Sequence, residues 1–178
     1  MRIITGKFRG RKLRTPSGKW PVRPTTDRAK EGLYNVLAHR FDLEEVSFLD
    51  LFGGTGSISI EAVSRGCEDV TYVDSFGPSA RWIADTAREW QITDALTVIR
   101  ADVFRFIQTA GRKYDLIFAD PPYDHPRIDQ LPALIKASGL LKADGWFILE
   151  HDQRHHFEPF EDCFMVKRYG KTYFSFFH

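Results

Sequence analysis

Cysteine is scarce in this chain of 178 residues, which has Cys67 and Cys163 as its two cysteines. Such a pair excludes a disulfide framework and a zinc site built from four thiolates. The sequence also lacks the run of about 18 apolar residues that a membrane span needs, and residues 1–7 contain no apolar signal-peptide core. We therefore expect a cytoplasmic protein that is associated with neither a membrane nor a metal ion.

Net charge is low as well, at +1, but this value conceals an asymmetry. Residues 1–31 carry ten lysines and arginines against two acidic side chains, a net charge of +8, and residues 32–178 carry −7. A basic segment joined to an acidic body is typical of a protein that contacts a polyanion through that segment. The 43% content of hydrophobic residues excludes wholesale disorder.

The first fifteen residues predict a small β-hairpin. Residues 3–5 and 13–15 form its strands, and residues 6–10 form a turn bounded by glycines. Two short strands are marginal on their own, so the hairpin has to dock on the rest of the protein, with Phe8 as an anchor. Prolines punctuate the following residues. We therefore divide the chain into a basic arm, residues 1–24, and a domain, residues 25–178.

Short apolar runs alternate with amphipathic stretches through most of the domain. This alternation predicts a parallel, doubly wound α/β sheet with helices on both faces. Two final runs, 163–168 and 173–177, are too close together for a crossover helix and predict an antiparallel hairpin at the sheet edge. The predicted parallel strands are residues 48–52, 70–74, 96–99, 114–119 and 145–150. The predicted helices cover residues 26–39, 78–90, 103–110 and 127–138, with one more that ends at Gly66.

The first strand ends in a glycine-rich turn, Gly53–Gly54–Thr55–Gly56. Ligands of open α/β sheets bind beyond the carboxyl ends of the strands, and glycines allow backbone to approach them closely. Asp74 ends the second strand, where its carboxylate can accept hydrogen bonds from ribose hydroxyls. Asp102 ends the third and can accept from an adenine amino group. The sequence therefore predicts a nucleoside-like cofactor.

The same turn departs from the dinucleotide-binding pattern. The position of the third glycine is occupied by Ser59, which weakens the case for a bound pyrophosphate. Carboxylates at the ends of three strands (Asp50, Asp74 and Asp102) also disfavour a pyrophosphate. A cationic or neutral adenosine ligand fits better, and S-adenosylmethionine, with its sulfonium and ammonium groups, is such a ligand.

A second motif, Asp120–Pro121–Pro122–Tyr123, follows the fourth predicted strand. The Asp120 carboxylate and the Pro121 carbonyl form an acceptor pair that suits the two hydrogens of an exocyclic –NH₂ group. Tyr123 offers a stacking face for a base. The lone pair of an aromatic amine is delocalised, so two acceptors help the nitrogen towards tetrahedral geometry, and positioning supplies most of the catalysis.

Five blocks of the sequence together resemble one family. Over essentially the whole chain they are similar to the bacterial 16S ribosomal RNA guanine-N2 methyltransferases, which are small class I S-adenosylmethionine-dependent enzymes. One departure is Gly53, which stands where the family usually has alanine. The blocks are residues 2–13 (RIITGKFRGRKL), 22–31 (VRPTTDRAKE), 50–56 (DLFGGTG), 120–123 (DPPY) and 169–172 (YGKT).

The resemblance implies a Rossmann-like sheet of seven strands, the last of them antiparallel. It also implies a guanine substrate in 16S ribosomal RNA, presented by the small subunit or an assembly intermediate. The expected catalytic residues are Asp120, Pro121, Pro122 and Tyr123. The expected cofactor residues are Asp50, Phe52, Gly53, Gly54, Thr55, Gly56, Asp74, Ser75, Asp102 and Val103. The expected RNA-binding residues are Arg9, Arg11, Lys12, Arg14, Arg23 and Arg28.

Three other functions remain open from the sequence. The Asp-Pro-Pro-Tyr motif also occurs in adenine-N6 methyltransferases of DNA and RNA. A nicotinamide-dependent oxidoreductase uses a similar sheet, although the third glycine is missing here. A non-catalytic assembly factor could bind RNA through the arm alone. The histidines at 151, 155 and 156 have a metal-like spacing, but no ordered set of further ligands accompanies them, so we expect no metal site.

Overall fold

The computed structural model describes residues 1–13 and 25–178. Seven strands form one sheet in the order β3-β2-β1-β4-β5-β7-β6. The strands are β1 (Ser47–Leu51), β2 (Asp69–Asp74), β3 (Leu96–Arg100), β4 (Tyr114–Ala119), β5 (Leu141–His151), β6 (Cys163–Tyr169) and β7 (Thr172–Phe177). The helices are α1 (Asp27–Ala38), α2 (Ser57–Ser64), α3 (Gly77–Glu89), α4 (Val103–Thr109) and α5 (Leu131–Ser138), the last preceded by a 3₁₀ turn, Ile128–Gln130.

The predicted fold class is confirmed. Strands β1 to β5 are parallel to one another, and β7 runs antiparallel between β5 and β6. Two hydrophobic clusters cover the two faces of the sheet: α1, α2 and α3 pack on one face, and α4 and α5 pack on the other. Among the described residues, no helix combines the length and the apolar character needed to cross a membrane.

Strand β1 illustrates why the runs are almost continuously apolar. Successive side chains of a strand point to opposite faces. Phe48 therefore belongs to the cluster under α1 to α3, whereas Leu49 and Leu51 belong to the cluster under α4 and α5. All five residues of β1 are buried, because both faces of the sheet are covered.

Strand β5 begins four residues earlier than predicted, at Leu141 instead of Gly145. Its pairing with β4 contains an irregularity, since Tyr114 lies opposite Leu141 while Leu116 lies opposite Trp146. A Cβ on Gly145 would come within 2.7 Å of the Asp115 carbonyl oxygen. The pattern of the sequence does not reveal this bulge, because it depends on the close approach of two backbones.

The N-terminal hairpin forms with a register that differs from the prediction. One isolated antiparallel bridge joins Arg2 to Lys12, and residues 3–5 are not a strand. The cause is competition for their N–H groups: those of Ile4 and Thr5 donate to the carboxylate of Glu61, at 2.9 and 3.0 Å, instead of to a partner strand. Residues 14 and 15, and the proposed boundary at residue 24, lie outside the described residues.

Glu61 on α2 is the point where this segment attaches. Its fully buried carboxylate also accepts from the Arg65 guanidinium at 2.9 Å and lies 3.3 Å from the ammonium of Lys30, whose side chain is fully buried. Lys30 in turn donates to the carbonyl of Arg2 at 2.7 Å. Burial lowers the pKa of Lys30, and the nearby Glu61 carboxylate opposes that effect. The N-terminal residues are therefore held by a buried charge network.

We expect Glu61→Ala to lower the free energy of unfolding by about 3–5 kcal/mol, because it leaves buried cations and two N–H groups without an acceptor. Urea unfolding measures the loss. Glu31→Ala, which removes an exposed carboxylate from α1, is the control and should change the value by about 0.5 kcal/mol or less. A loss below about 1 kcal/mol for Glu61→Ala would contradict the assignment.

Candidate active site

A cavity of about 570 Å³ opens at the carboxyl ends of β1 and β4. From these neighbouring strands the chain continues into α2 on one face of the sheet and α5 on the other. This is the switch point at which doubly wound sheets bind ligands. Of the predicted site residues, those that line the cavity are Asp50, Phe52, Gly53, Gly54, Thr55, Asp74, Ser75, Asp120, Pro121, Pro122 and Tyr123.

The glycine-rich turn is shaped by packing as well as by access to the cavity. A Cβ on Gly53 would come within 2.3 Å of the Tyr72 ring, and a Cβ on Gly56 would come within 1.9 Å of Ile83. Gly56 also has a φ of 67°, in the left-handed region that glycine tolerates. Phe52 adopts a φ of 57° although it is not a glycine, a conformation that costs about 1–3 kcal/mol.

Asp50 is a buried carboxylate on the wall of the cavity. Its Oδ2 accepts from the backbone N–H of Ser59 at 3.2 Å and from the Ser59 hydroxyl at 2.5 Å. Burial raises the pKa of Asp50 to about 7, and the carboxylates of Asp74 and Glu150 raise it further, while the bonds from Ser59 oppose the shift. A cation bound in the cavity would favour the ionised form. Ser59, which occupies the position of the third glycine in the dinucleotide pattern, thus donates two hydrogen bonds to the carboxylate of Asp50.

Asp74 ends β2 at the edge of the cavity. Its carboxylate accepts from the N–H of Gly54 at 2.8 Å and from the N–H of Phe76 at 2.7 Å. Each carboxylate oxygen has a further lone pair, so the group can also accept from a ligand hydroxyl. Phe76 is 37% exposed and lines the cavity beside Ser75, which provides an apolar surface for a flat ring.

Three predicted cofactor residues lie outside the described cavity lining. Asp102 is the N-cap of α4, and its carboxylate accepts from the N–H of Arg105 at 2.9 Å. Val103 is buried in the cluster under α4 and α5. Gly56 is the N-cap of α2, where its conformation directs the helix away from the turn. The structure therefore gives each of these residues a local structural role.

The Asp-Pro-Pro-Tyr motif forms a loop after β4 and lines the same cavity as the glycine turn. The N–H of Asp120 donates to the carbonyl of Leu51 at 3.2 Å, which ties the start of the loop to the end of β1. The Pro122 carbonyl accepts from the N–H of His125 at 2.8 Å and so closes a turn. Asp120, Pro121 and Tyr123 all face the same cavity as the glycines.

An aromatic cluster connects the two loops that line the cavity. The ring of His125 stacks on Phe104 at a centroid distance of 5.1 Å and meets Phe52 edge-on at 6.0 Å. The Arg127 guanidinium lies 3.9 Å from the centroid of the Phe104 ring. The loop after β4 and the turn after β1 are therefore joined by stacked side chains.

The sequence analysis missed several residues in and around the cavity. The most informative is Glu150, which does not itself line the cavity but is hydrogen-bonded to two residues that do. It is 3% exposed at the end of β5, and its carboxylate accepts from the hydroxyls of Tyr123 and Thr25, both at 2.8 Å. A signal was available, because Glu150 ends its predicted strand just as Asp50 and Asp74 end theirs. The residues that line the cavity and were not predicted are Thr25, Ser57, Ile58, Phe76, Phe118, Asp124 and Arg154.

The described basic residues of the arm are spread along the protein. Arg11 stacks on Trp90, 4.0 Å from its ring centroid, and lies 3.7 Å from Glu89. Phe8, the expected anchor, packs on the same indole at a centroid distance of 5.1 Å. Because α3 starts near the cavity and its 13 residues span about 20 Å, Arg11 lies near the opposite end of the sheet.

Lys12 and Arg28 lie closer to the cavity. Both side chains are exposed. Lys12 forms a backbone bridge with Arg2, whereas Arg28 lies in the first turn of α1. Arg9 is exposed in the turn that packs on the end of α2. Arg14 and Arg23, which were predicted with them, lie outside the described residues.

The three histidines at and after the end of β5 lie in separate environments. His151 is buried, its Nε2 is 2.7 Å from the Ser175 hydroxyl, and burial lowers its pKa. His155 lies 2.9 Å from Asp129 and 2.8 Å from the carbonyl of Tyr123, and His156 is exposed. Within residues 1–13 and 25–178, no group of three or more metal-ligating side chains is arranged to hold an ion.

Comparison with known proteins identifies the family. Residues 1–178 match the model of the family described as "Conserved hypothetical protein 95". The protein belongs to this family. A relative from Bacillus subtilis, named "Putative rRNA methyltransferase YlbH", is 34% identical over 97% of this chain and 95% of its own length. Another, "Ribosomal RNA small subunit methyltransferase D" of Escherichia coli, is 28% identical over 85% of this chain and 75% of its own length.

A solved structure agrees with this family. "Putative methyltransferase yhhF from Escherichia coli" superimposes with a TM-score of 0.85 at 25% identity, covering 99% of this chain and 96% of that one. The resemblance based on the sequence motifs is confirmed, and the protein is a methyltransferase with the class I fold. Membership of the family favours methyl transfer over the nicotinamide-dependent alternative.

The raised pKa of Asp50 predicts a specific pH dependence of stability. Between the unfolded pKa of about 3.9 and the folded value of about 7, the folded state binds more protons than the unfolded state. The stability contributed by protonated Asp50 is therefore complete below pH 4 and is lost as the pH rises through 7. Without ligand, we expect the free energy of unfolding of the wild type, relative to Asp50→Asn, to fall by about 2–4 kcal/mol between pH 5 and pH 8.

Urea unfolding of both proteins at four pH values measures this difference. Asp85→Asn, which alters an exposed carboxylate on α3, should give a curve parallel to that of the wild type. Parallel curves for the wild type and Asp50→Asn would show that Asp50 is ionised throughout this range.

Proposed function

We propose that the protein transfers a methyl group from S-adenosylmethionine to the exocyclic N2 amine of a guanine in 16S ribosomal RNA. The observation that carries this proposal is the shared cavity, which is lined both by the glycine turn with Asp74, here called the first wall, and by Asp120–Tyr123, here called the second wall. A cofactor site and an amine site must face each other for direct transfer. The name of the Bacillus subtilis relative supports ribosomal RNA as the substrate, and that of the Escherichia coli relative supports RNA of the small subunit.

The first wall of the cavity suits S-adenosylmethionine. Asp74 can accept from ribose hydroxyls, Phe76 and Ser75 can contact the adenine, and the Gly53–Gly54 backbone can approach the ligand. The buried Asp50 carboxylate suits the cationic amino acid end of this ligand, because a nearby positive charge favours the ionised form of the acid. When bound, S-adenosylmethionine supplies an electrophilic methyl group on a sulfonium centre.

The second wall acts on the base. The Asp120 carboxylate and the Pro121 carbonyl accept the two N–H bonds of the amine, which rotates its lone pair out of conjugation and towards the methyl group. The nitrogen becomes strongly acidic as it gains the methyl group, so its proton leaves without a strong base. Tyr123 stacks on the base, an interaction worth about 1–3 kcal/mol, and so holds a nucleotide that has left its helix.

The basic residues position the RNA. Lys12 and Arg28 near the cavity, together with Arg9 at the far turn, can contact phosphates along an RNA helix that lies beside the protein. Arg14 and Arg23 are proposed for the same role from the sequence alone. Arg11 is already stacked on Trp90, so its contribution to RNA binding is expected to be smaller.

Asp120→Ala should lower the rate of methylation about 100-fold or more, since it removes one of the two acceptors that orient the amine. Cofactor affinity, measured by calorimetry, should stay unchanged. The assay uses 30S particles from cells lacking the gene, with plasmid DNA in parallel, and the labelled nucleosides are identified after digestion. Asp85→Ala, on the exposed face of α3, is the control.

The products of that assay separate the alternatives. N2-methylguanosine in ribosomal RNA supports the proposal, whereas N6-methyladenosine, or label confined to DNA, would overturn the guanine assignment. Unlabelled RNA under all conditions would favour a non-catalytic assembly factor. A wild-type rate in Asp120→Ala would refute the role of that carboxylate.

The double variant Lys12→Ala/Arg28→Ala should lower the salt dependence of RNA binding, because each lost phosphate contact reduces the slope of log K against log[salt] by about 0.7–0.9. Cofactor affinity should not change. Lys136→Ala/Lys142→Ala removes the same charge from exposed sites near α5 and β5 and serves as the control. Equal slopes in the two double variants would place the RNA on another surface.

A further inference from the structure

The carboxylate of Glu150 joins two segments that are distant in sequence. Its Oε1 accepts from the Tyr123 hydroxyl at 2.8 Å, and its Oε2 accepts from the Thr25 hydroxyl at 2.8 Å. Tyr123 belongs to the loop after β4, and Thr25 immediately precedes Thr26, the N-cap of α1. Both partners line the cavity. One acidic side chain therefore connects two segments that line the cavity.

Burial of the Glu150 carboxylate carries a cost in folding free energy. Only 3% of Glu150 is exposed, and transfer of a carboxylate from water to a protein interior carries a penalty of several kcal/mol. Apolar residues of similar volume often serve stability equally well at such positions. The contribution of Glu150 to folding alone is therefore a weak reason for an acid here, whereas its two short hydrogen bonds are directed at cavity residues.

The backbone of Tyr123 is held from the same side. Its carbonyl accepts from Nε2 of His155 at 2.8 Å, and Nδ1 of His155 lies 2.9 Å from the carboxylate of Asp129. Glu150 and His155 both belong to the chain at and after the end of β5. Tyr123 is thus fixed at its hydroxyl and at its main chain, which leaves the orientation of its ring largely determined before a ligand arrives.

A protein binds a base more tightly when the orientation of the stacking side chain is fixed before binding, because less rotamer freedom is then lost. We propose that Glu150 is a positioning residue that fixes the Tyr123 ring for stacking on the target base, with Thr25 as its second attachment. The inference rests on the proposed function, in which Tyr123 stacks on a base. Glu150 itself acts through Tyr123 and makes no contact with the reacting atoms.

The test compares two substitutions of similar size. Glu150→Gln retains an amide oxygen that can accept from Tyr123, whereas Glu150→Met fills the space without a strong acceptor. We expect kcat/KM for RNA methylation to fall about 5- to 100-fold in Glu150→Met, as for a lost stacking contact, and to be largely preserved in Glu150→Gln. Cofactor affinity and the unfolding midpoint should change little in either variant.

A double-mutant cycle gives a readout that a general structural role would not produce. Tyr123→Phe keeps the ring and removes the hydroxyl, so its loss of kcat/KM should resemble that of Glu150→Met. The combined variant should be no worse than either single variant, because both remove one interaction. Ser47→Ala, which removes a buried hydroxyl bound to Asp115 at the amino end of β1, is the control and should leave kcat/KM unchanged.

A spectroscopic measurement separates this inference from the proposed function. In protein labelled with 3-fluorotyrosine, the Tyr123 signal is assigned by its absence in Tyr123→Phe. We expect one sharp signal in the wild type and in Glu150→Gln, and a shifted or exchange-broadened signal in Glu150→Met. An unchanged signal, or independent effects that multiply in the double variant, would overturn the role of Glu150. If the wild type methylated no RNA while the signal behaved as expected, the proposed function would fail instead.

Discussion

The site depends on one constraint, which is that the chain turns to opposite faces of the sheet after β1 and after β4. These strands are neighbours in the sheet, yet one continues into a helix on the first face and the other into a helix on the second. No helix can then cover the gap between their carboxyl ends, and a cavity remains. The glycine turn and the Asp-Pro-Pro-Tyr loop thereby line one cavity, although Gly56 and Asp120 are 64 positions apart in the sequence.

Three carboxylates in or next to this cavity are each held by a different set of donors. Asp50 is bound by Ser59, Asp74 by two backbone N–H groups, and Glu150 by two hydroxyls. None of these donors carries a full positive charge, so the field at these carboxylates stays negative; Arg154, which also lines the cavity, is paired with Asp152. A cationic ligand is suited to such a field, whereas a pyrophosphate would be repelled. The charges of the cavity and the absence of the third glycine therefore both favour a cationic ligand over a pyrophosphate.

The basic N-terminal segment is joined to the domain by charge as well as by apolar packing. Glu61 accepts hydrogen bonds from its backbone, while Ile3 and Leu13 enter the core beneath α1 to α3. The exposed cations of this segment therefore have defined positions relative to the cavity. A rigid attachment suits a surface that has to align a long polyanion with a single reacting base.

Sequence alone determined the order of strands and helices, the switch to an antiparallel hairpin and both motifs of the cavity, because periodicity, glycine and proline are local signals. Only the tertiary structure decided the register of the N-terminal segment, the bulge at Gly145, the stacking of Arg11 on Trp90 and the hydrogen bonds of Glu150 to Tyr123 and Thr25. Each of these depends on a partner far away in the chain, and no local pattern specifies which donor or ring will be nearby. Asp102 illustrates the same limit, since its position at a strand end did not show that its carboxylate caps α4 by accepting from the N–H of Arg105.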